Sequence, residues 1–95
     1  MYQIRPYTKA QARKIGVTVR PSKRKGKKIA VFKNGKKVAD VGATGYKDYP
    51  TYMELEKKGK VPKGTAKQKQ RQYKARHVYR NRKNTAAWYA DKLLW

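Results

Sequence analysis

The excess of positive charge limits what this chain can fold into. Twenty-seven Lys and Arg stand against five Asp and Glu in 95 residues, a formal net charge of +22. A domain so charged repels itself, which favours solubility over compactness. Its core must also be thin, because a chain of this size buries only part of its surface. With one Phe and two Met, much of the buried area falls to eight Tyr and two Trp. Those rings carry polar tips, so they serve interfaces as readily as cores. The balance suits a partner that is a dense polyanion, most commonly nucleic acid.

Other classes are disfavoured on composition. There is no Cys, hence no disulfide and no thiolate metal site. One His and five acids make a poor ligand set for structural zinc. No metal or cofactor is expected, and no catalytic residues. The opening Met1-Tyr2-Gln3-Ile4-Arg5-Pro6 lacks the apolar stretch of a signal peptide. No run approaches the ~20 apolar residues of a membrane span. The charge is uneven. Residues 1–28 carry ten bases and no acid, residues 29–64 eight bases and four acids, and residues 65–95 nine bases and one acid.

The pattern predicts an α+β fold, with a basic N-terminal arm over 1–14 and a single domain over 15–95. Residues 15–41 read as sheet. Ile15, Val17 and Val19 alternate as in a half-buried strand, which Pro21 ends. Asn34-Gly35 joins two β-prone runs and is the strongest short-range hairpin signal, because a type I′ turn needs positive φ at both positions. A two-residue turn sets Lys33 opposite Lys36 and Val31 opposite Val38. Phe32, Ala30, Ala39 and Val41 then share the other face. The result is a three-stranded antiparallel meander.

Residues 42–58 read as a glycine-marked turn and a short helix. Asp48 can cap that helix, with Pro50 in its first turn; Thr51 with Glu54 is a competing capping box. Thr65 with Gln68 is a further capping box, opening a basic helix over 65–83. Asn84 or Thr85 then caps an aromatic C-terminal segment, 85–95. Its Leu93-Leu94-Trp95 ending must dock on the domain or on a partner.

Three pieces of the chain form a pattern: Val41-Gly-Ala-Thr-Gly-Tyr-Lys-Asp-Tyr49, Gln72-Tyr-Lys-Ala-Arg-His77, and Thr85-Ala-Ala-Trp88 closing on Leu93-Leu94-Trp95. Their order resembles a family of small basic proteins encoded by large nucleocytoplasmic DNA viruses. In that family a strand leads into a Gly-Ala-x-Gly-Tyr-x-Asp-Tyr turn, followed by an Arg-His helix and a Thr-Ala…Trp segment ending in Leu-Leu-Trp. The resemblance covers about residues 29–95. It brings no established activity, and it implies a viral origin and a place in the particle. Residues 1–28 have no counterpart in the pattern, and Glu56–Lys69 is a longer, Lys-rich connection.

Charge and resemblance together predict a non-enzymatic virion structural protein, a minor capsid or capsid-associated protein on the inner side of the capsid. Packaged nucleic acid would meet Arg13, Lys14, Arg20, Lys23, Arg24, Lys25, Lys27 and Lys28 on the arm and loop. It would also meet Lys67, Lys69, Arg71, Lys74, Arg76, Arg80, Arg82 and Lys83 on the basic helix. Lys outnumbers Arg nineteen to eight. Lys is a point charge poorly suited to bidentate base reading, so binding without sequence preference is expected.

Capsid proteins would meet Phe32, Tyr46, Tyr49, Tyr52, Trp88, Leu93, Leu94 and Trp95. The three Tyr recur every third residue and suit either core packing or base stacking. His77 reads as a packed or capping imidazole rather than a general base. Asp40 and Asp48 read as turn and cap residues rather than Mg²⁺ ligands. Two alternatives keep the charge but not the particle: a virus-encoded nucleic-acid-binding protein of replication or packaging, in host cytoplasm or nucleus, and a ribosomal-type RNA-binding protein.

Overall fold

The computed structural model describes residues 2–95, with the backbone alone at 79 and 80. The fold is α+β, as expected, but it begins with a helix. Pro6–Ile15 (α1) occupies most of the predicted arm. Pro6 supplies the fixed φ that suits a first helical position, and Gly16 at φ 75° closes the helix. The amides of Gly16 and Val17 return to the carbonyls of Arg13 and Ala12. Ten residues make a marginal helix alone. This one is held because Thr8 and Ala12, one turn apart, are buried against the C-terminal helix.

The sheet is a meander of Thr18–Pro21 (β1), Lys27–Lys33 (β2) and Lys36–Ala43 (β3), antiparallel and in the order β1-β2-β3. The first strand is shorter than predicted because Ile15 and Gly16 belong to the helix end; Val17 is buried and Val19 pairs with Val31. Asn34 and Gly35 sit at φ 53° and 80°, as a type I′ turn requires. Lys33 faces Lys36 as expected.

The predicted pairing of Val31 with Val38 is corrected. A register shift at Val31/Phe32 sets Phe32 opposite Lys37 and Val31 opposite Ala39. Val38 becomes the extra residue of a β-bulge and is 44% exposed. A one-residue shift exchanges the faces of a strand. Ala39 and Val41 therefore join Ile29 and Val31 on the core side, while Phe32 stays on the outer side.

Tyr49–Lys57 (α2) is capped by Asp48, which accepts from the Thr51 amide at 3.0 Å, so the Thr51–Glu54 capping box is not used. Thr65–Arg76 (α3) does not use its predicted box either. Gly64 stands at the N-cap, and the Thr65 hydroxyl donates to the Pro62 carbonyl. Glu56 reaches from α2 to accept from the Gly64 and Ala66 amides. A full carboxylate satisfies two open helix amides and opposes the positive end of the helix dipole.

The basic helix also ends earlier than predicted, at Arg76. His77 is its C-cap, with Nδ1 donating to the Tyr73 carbonyl, and Val78–Asn81 forms a short 3₁₀ turn. Thr85 caps Ala86–Leu94 (α4) by accepting from the Trp88 amide.

The core lies between one face of the sheet and the helices α1 and α4. Val17, Ile29, Val31 and Val41 meet Ala12, Tyr89, Leu93 and Leu94. The last carbonyls of α4, which have no partner within a helix, are met from elsewhere. Thr8 Oγ1 donates to Leu93 O at 2.8 Å, Gln11 Nε2 to Lys92 O at 3.1 Å, and Gln70 to the carbonyl of Trp95. The C-terminal Leu-Leu pair is thus docked on its own domain. α2 and α3 pack on each other as a hairpin, which Gln70 ties to Trp95 and Lys74 to Asp91 of α4. Among the described residues, no helix is long and apolar enough to cross a membrane.

Candidate nucleic-acid interface

All five carboxylates are engaged inside the fold. Asp48 is buried and accepts four hydrogen bonds: Tyr2 Oη at 2.7 Å, Lys28 Nζ at 3.0 Å, and the amide and hydroxyl of Thr51 at 3.0 and 2.6 Å. Asp40 accepts from Ser22 Oγ at 2.7 Å and pairs with Lys37 at 3.0 Å. Glu54 bridges Arg5 and Lys58, and Glu56 caps α3. Asp91 pairs with Lys74 at 2.8 Å. Among the described residues, no three His, Asp or Glu gather as metal ligands would.

These contacts lower the pKa values of Asp40, Asp48, Glu54 and Glu56. Burial alone would raise that of Asp48, but hydrogen bonds from Thr51 and Tyr2 and the Lys28 charge outweigh it. The Arg5 hydrogen bond, with help from Lys58, brings Glu54 to about 2. Ser22 and Lys37 lower Asp40, and the Gly64 and Ala66 amides lower Glu56. A depressed folded-state pKa adds stability that is present above the unfolded value and lost as pH falls through the folded one. The circular dichroism signal should therefore hold between neutrality and about pH 5, then collapse cooperatively below about pH 4. Undiminished urea resistance at pH 2 would contradict this coupling.

The predicted basic residues divide into contacts and surface. Lys28 is buried, so its expected contact with nucleic acid is corrected: its ammonium serves Asp48 and the Tyr46 carbonyl. Lys74 is half-buried and committed to Asp91. Lys67 lies over the Tyr49 ring at 5.4 Å, Lys69 over Tyr52 at 6.0 Å and Arg20 over Phe32 at 5.3 Å. Such cation–ring contacts cover apolar surface and leave the charge at the rim. Arg13 and Lys14 are exposed at the end of α1; Lys23, Arg24 and Lys25 are exposed on the loop between β1 and β2. Arg71, Arg76, Arg82 and Lys83 are exposed as well. The side chain of Arg80 lies outside the described residues.

The aromatic set divides likewise. Tyr49 is buried with its ring edge-on to Tyr7, so it is not a surface contact. Leu93 and Leu94 are buried in the core, so they are not partner anchors. Phe32, Tyr52, Trp88 and Trp95 are half-buried. Tyr46 is 76% exposed.

One arrangement escaped the sequence reading. The three motif pieces meet at a cleft of about 550 Å³. The end of β3 contributes Gly42 and Ala43 and the turn after it Tyr46, α3 and its cap contribute Tyr73, Arg76 and His77, and α4 and its cap contribute Leu94 and Trp95. His77, Tyr73 and Trp95 form a stacked column, with centroids 3.9 and 4.3 Å apart. Lys27 completes the rim. The turn fits this closely because residue 42 is Gly. A Cβ there would stand 2.8 Å from Leu94 Cδ1, and the backbone φ is 83°. Spacing offered each piece separately, but their adjacency depends on the docking of α3 and α4.

The molecule is thus a small α+β protein whose three-stranded meander presents a glycine turn to two C-terminal helices. A model for a family of unknown function (DUF5754) matches residues 17–52, from the start of the sheet into α2. No curated protein and no solved structure matches the chain.

Proposed function

We propose that this chain is a non-enzymatic virion structural protein that holds packaged nucleic acid through charge, without reading its sequence. Every carboxylate is engaged within the fold, and five acids against twenty-seven bases leave the surface a large excess of positive charge. Such a field attracts a phosphate backbone and selects little else. A place in a particle, and contact with capsid proteins, are supported by the motif resemblance. The half-buried rings of Phe32 and Trp88, together with the exposed bulge residue Val38, offer apolar surface for such contact.

The test is fluorescence anisotropy with two unrelated duplexes over a range of salt. Both should bind with the same affinity, and log K should fall linearly with log salt, by about 0.9 per phosphate neutralised. Affinity indifferent to salt, or strong preference for one sequence, would refute the proposal.

A further inference from the structure

Among the described aromatic side chains, Tyr46 stands apart. Its ring is exposed, yet its backbone is anchored. Gly42 and Gly45 precede it at φ 83° and 88°, and its carbonyl accepts from the buried Lys28 ammonium. Lys28 is itself fixed by Asp48. A buried ion pair is costly to desolvate, and this one ties the Tyr46 carbonyl and Asp48 to the same ammonium. The conformation it holds is that of the turn carrying Tyr46.

The ring borders two clefts. One, of about 550 Å³, carries Lys27 and Arg76 at its rim, with the His77–Tyr73–Trp95 column in its wall. The other, of about 420 Å³, is lined by the exposed Lys47, by Arg5, whose charge is shared with Glu54, and by Tyr2. Both volumes fall in the range of small-molecule sites. The acid that lines the first cleft, Asp48, is already satisfied by Tyr2, Lys28 and Thr51. Each side therefore offers cations beside a shared aromatic ring.

We infer that Tyr46 is a stacking platform for an unpaired nucleotide, its base on the ring and its phosphates on Lys27 and Arg76. This deepens the nucleic-acid reading and rests on it. A base within a duplex has both faces occupied by its neighbours, whereas an unpaired base offers a free face. A strand crossing the turn finds cations before and after the ring, so single-stranded nucleic acid is the source we assign. The site adds a preference for single strands to the general attraction of the charged surface. Exposure separates Tyr46 from Tyr49, which lies in the core, and from Tyr52, which lies under Lys69.

The test compares a labelled twelve-nucleotide oligothymidylate with a twelve-base-pair duplex by anisotropy at one salt concentration. The proteins are the full chain, Tyr46→Ala and Tyr46→Phe. The Ala variant should lose about five- to a hundredfold in single-strand affinity, the range of one base–aromatic stack. Its duplex affinity should stay within about twofold, since the charges that bind phosphate are intact. Tyr46→Phe keeps the ring and should bind as the parent does.

Thymidine monophosphate, added as competitor, separates the sources. Failure to displace the oligomer at millimolar concentration is expected for a strand site. Displacement in the parent but not in Tyr46→Ala would assign the same cleft to a free nucleotide and overturn the strand assignment. Unchanged single-strand binding in Tyr46→Ala, with duplex binding intact, would overturn the platform and leave the charge reading standing. Absence of binding to either probe in the parent would overturn both. The substituted side chain is exposed, so circular dichroism should show the parent fold in each variant.

Discussion

Asp48→Ala is expected to lose about 3–5 kcal/mol of folding stability, measured by urea denaturation followed by circular dichroism. Asp48 joins three parts of the chain. Tyr2 reaches it from the N-terminus, Lys28 from β2 and Thr51 from the first turn of α2. The side chains of Lys28 and Asp48 are 6% and 1% exposed. Removing the carboxylate leaves an ammonium buried without its counter-charge, and that is the main expense. The lost helix cap adds about 1 kcal/mol. Because small domains are stable by only about 5–15 kcal/mol, much of the margin would vanish. Adding Lys28→Met to Asp48→Ala should recover part of the loss, because the second change removes the stranded charge. A loss below about 1 kcal/mol for Asp48→Ala would refute the role assigned to this pair.

The next largest effect is expected at the contact between the turn and α4. Leu94 is buried, and its Cδ1 fills the space that a side chain at residue 42 would occupy. Leu94→Ala should lose about 2–5 kcal/mol through lost burial and the cavity left behind. Gly42→Ala should also destabilise, because its φ is 83° and its Cβ would overlap Leu94. The pair should not be additive. With Leu94 shortened, its overlap disappears, leaving the 3.0 Å contacts with Lys28 Cβ and Cδ and backbone strain of about 1–2 kcal/mol. Strict additivity in a denaturation cycle would show that the two residues do not share this space.

Features set by a few neighbouring residues were legible in the sequence. Asn34-Gly35 made the hairpin, Asp48 capped α2 and Thr85 capped α4, each within four residues of its partner. The unread features depend on distant chain. The bulge after Val31 is favoured because it turns Ala39 and Val41 toward α1 and α4, and neither helix is adjacent in sequence. Glu56 displaced the local capping box of Thr65 because α2 and α3 pack side by side. α1 was misread for another reason. Its bases suggested a basic arm rather than a helix, although Pro6 and Gly16 are ordinary start and stop signals. At the candidate site, the motif pieces were legible but not their convergence, and Lys28 looked like surface until Asp48 was found beside it.

A three-stranded meander has two strands with an open hydrogen-bonding edge, and such edges invite pairing with another copy. Here β1 has only four residues and ends in Pro21, which has no amide to donate. β3 begins with exposed Lys36 and Lys37, and its bulge interrupts the regular spacing of the edge. Two copies approaching edge to edge would bring like charges together before any ladder could form. The lysines that lend the surface its field thus also guard the free protein against fibrous self-association.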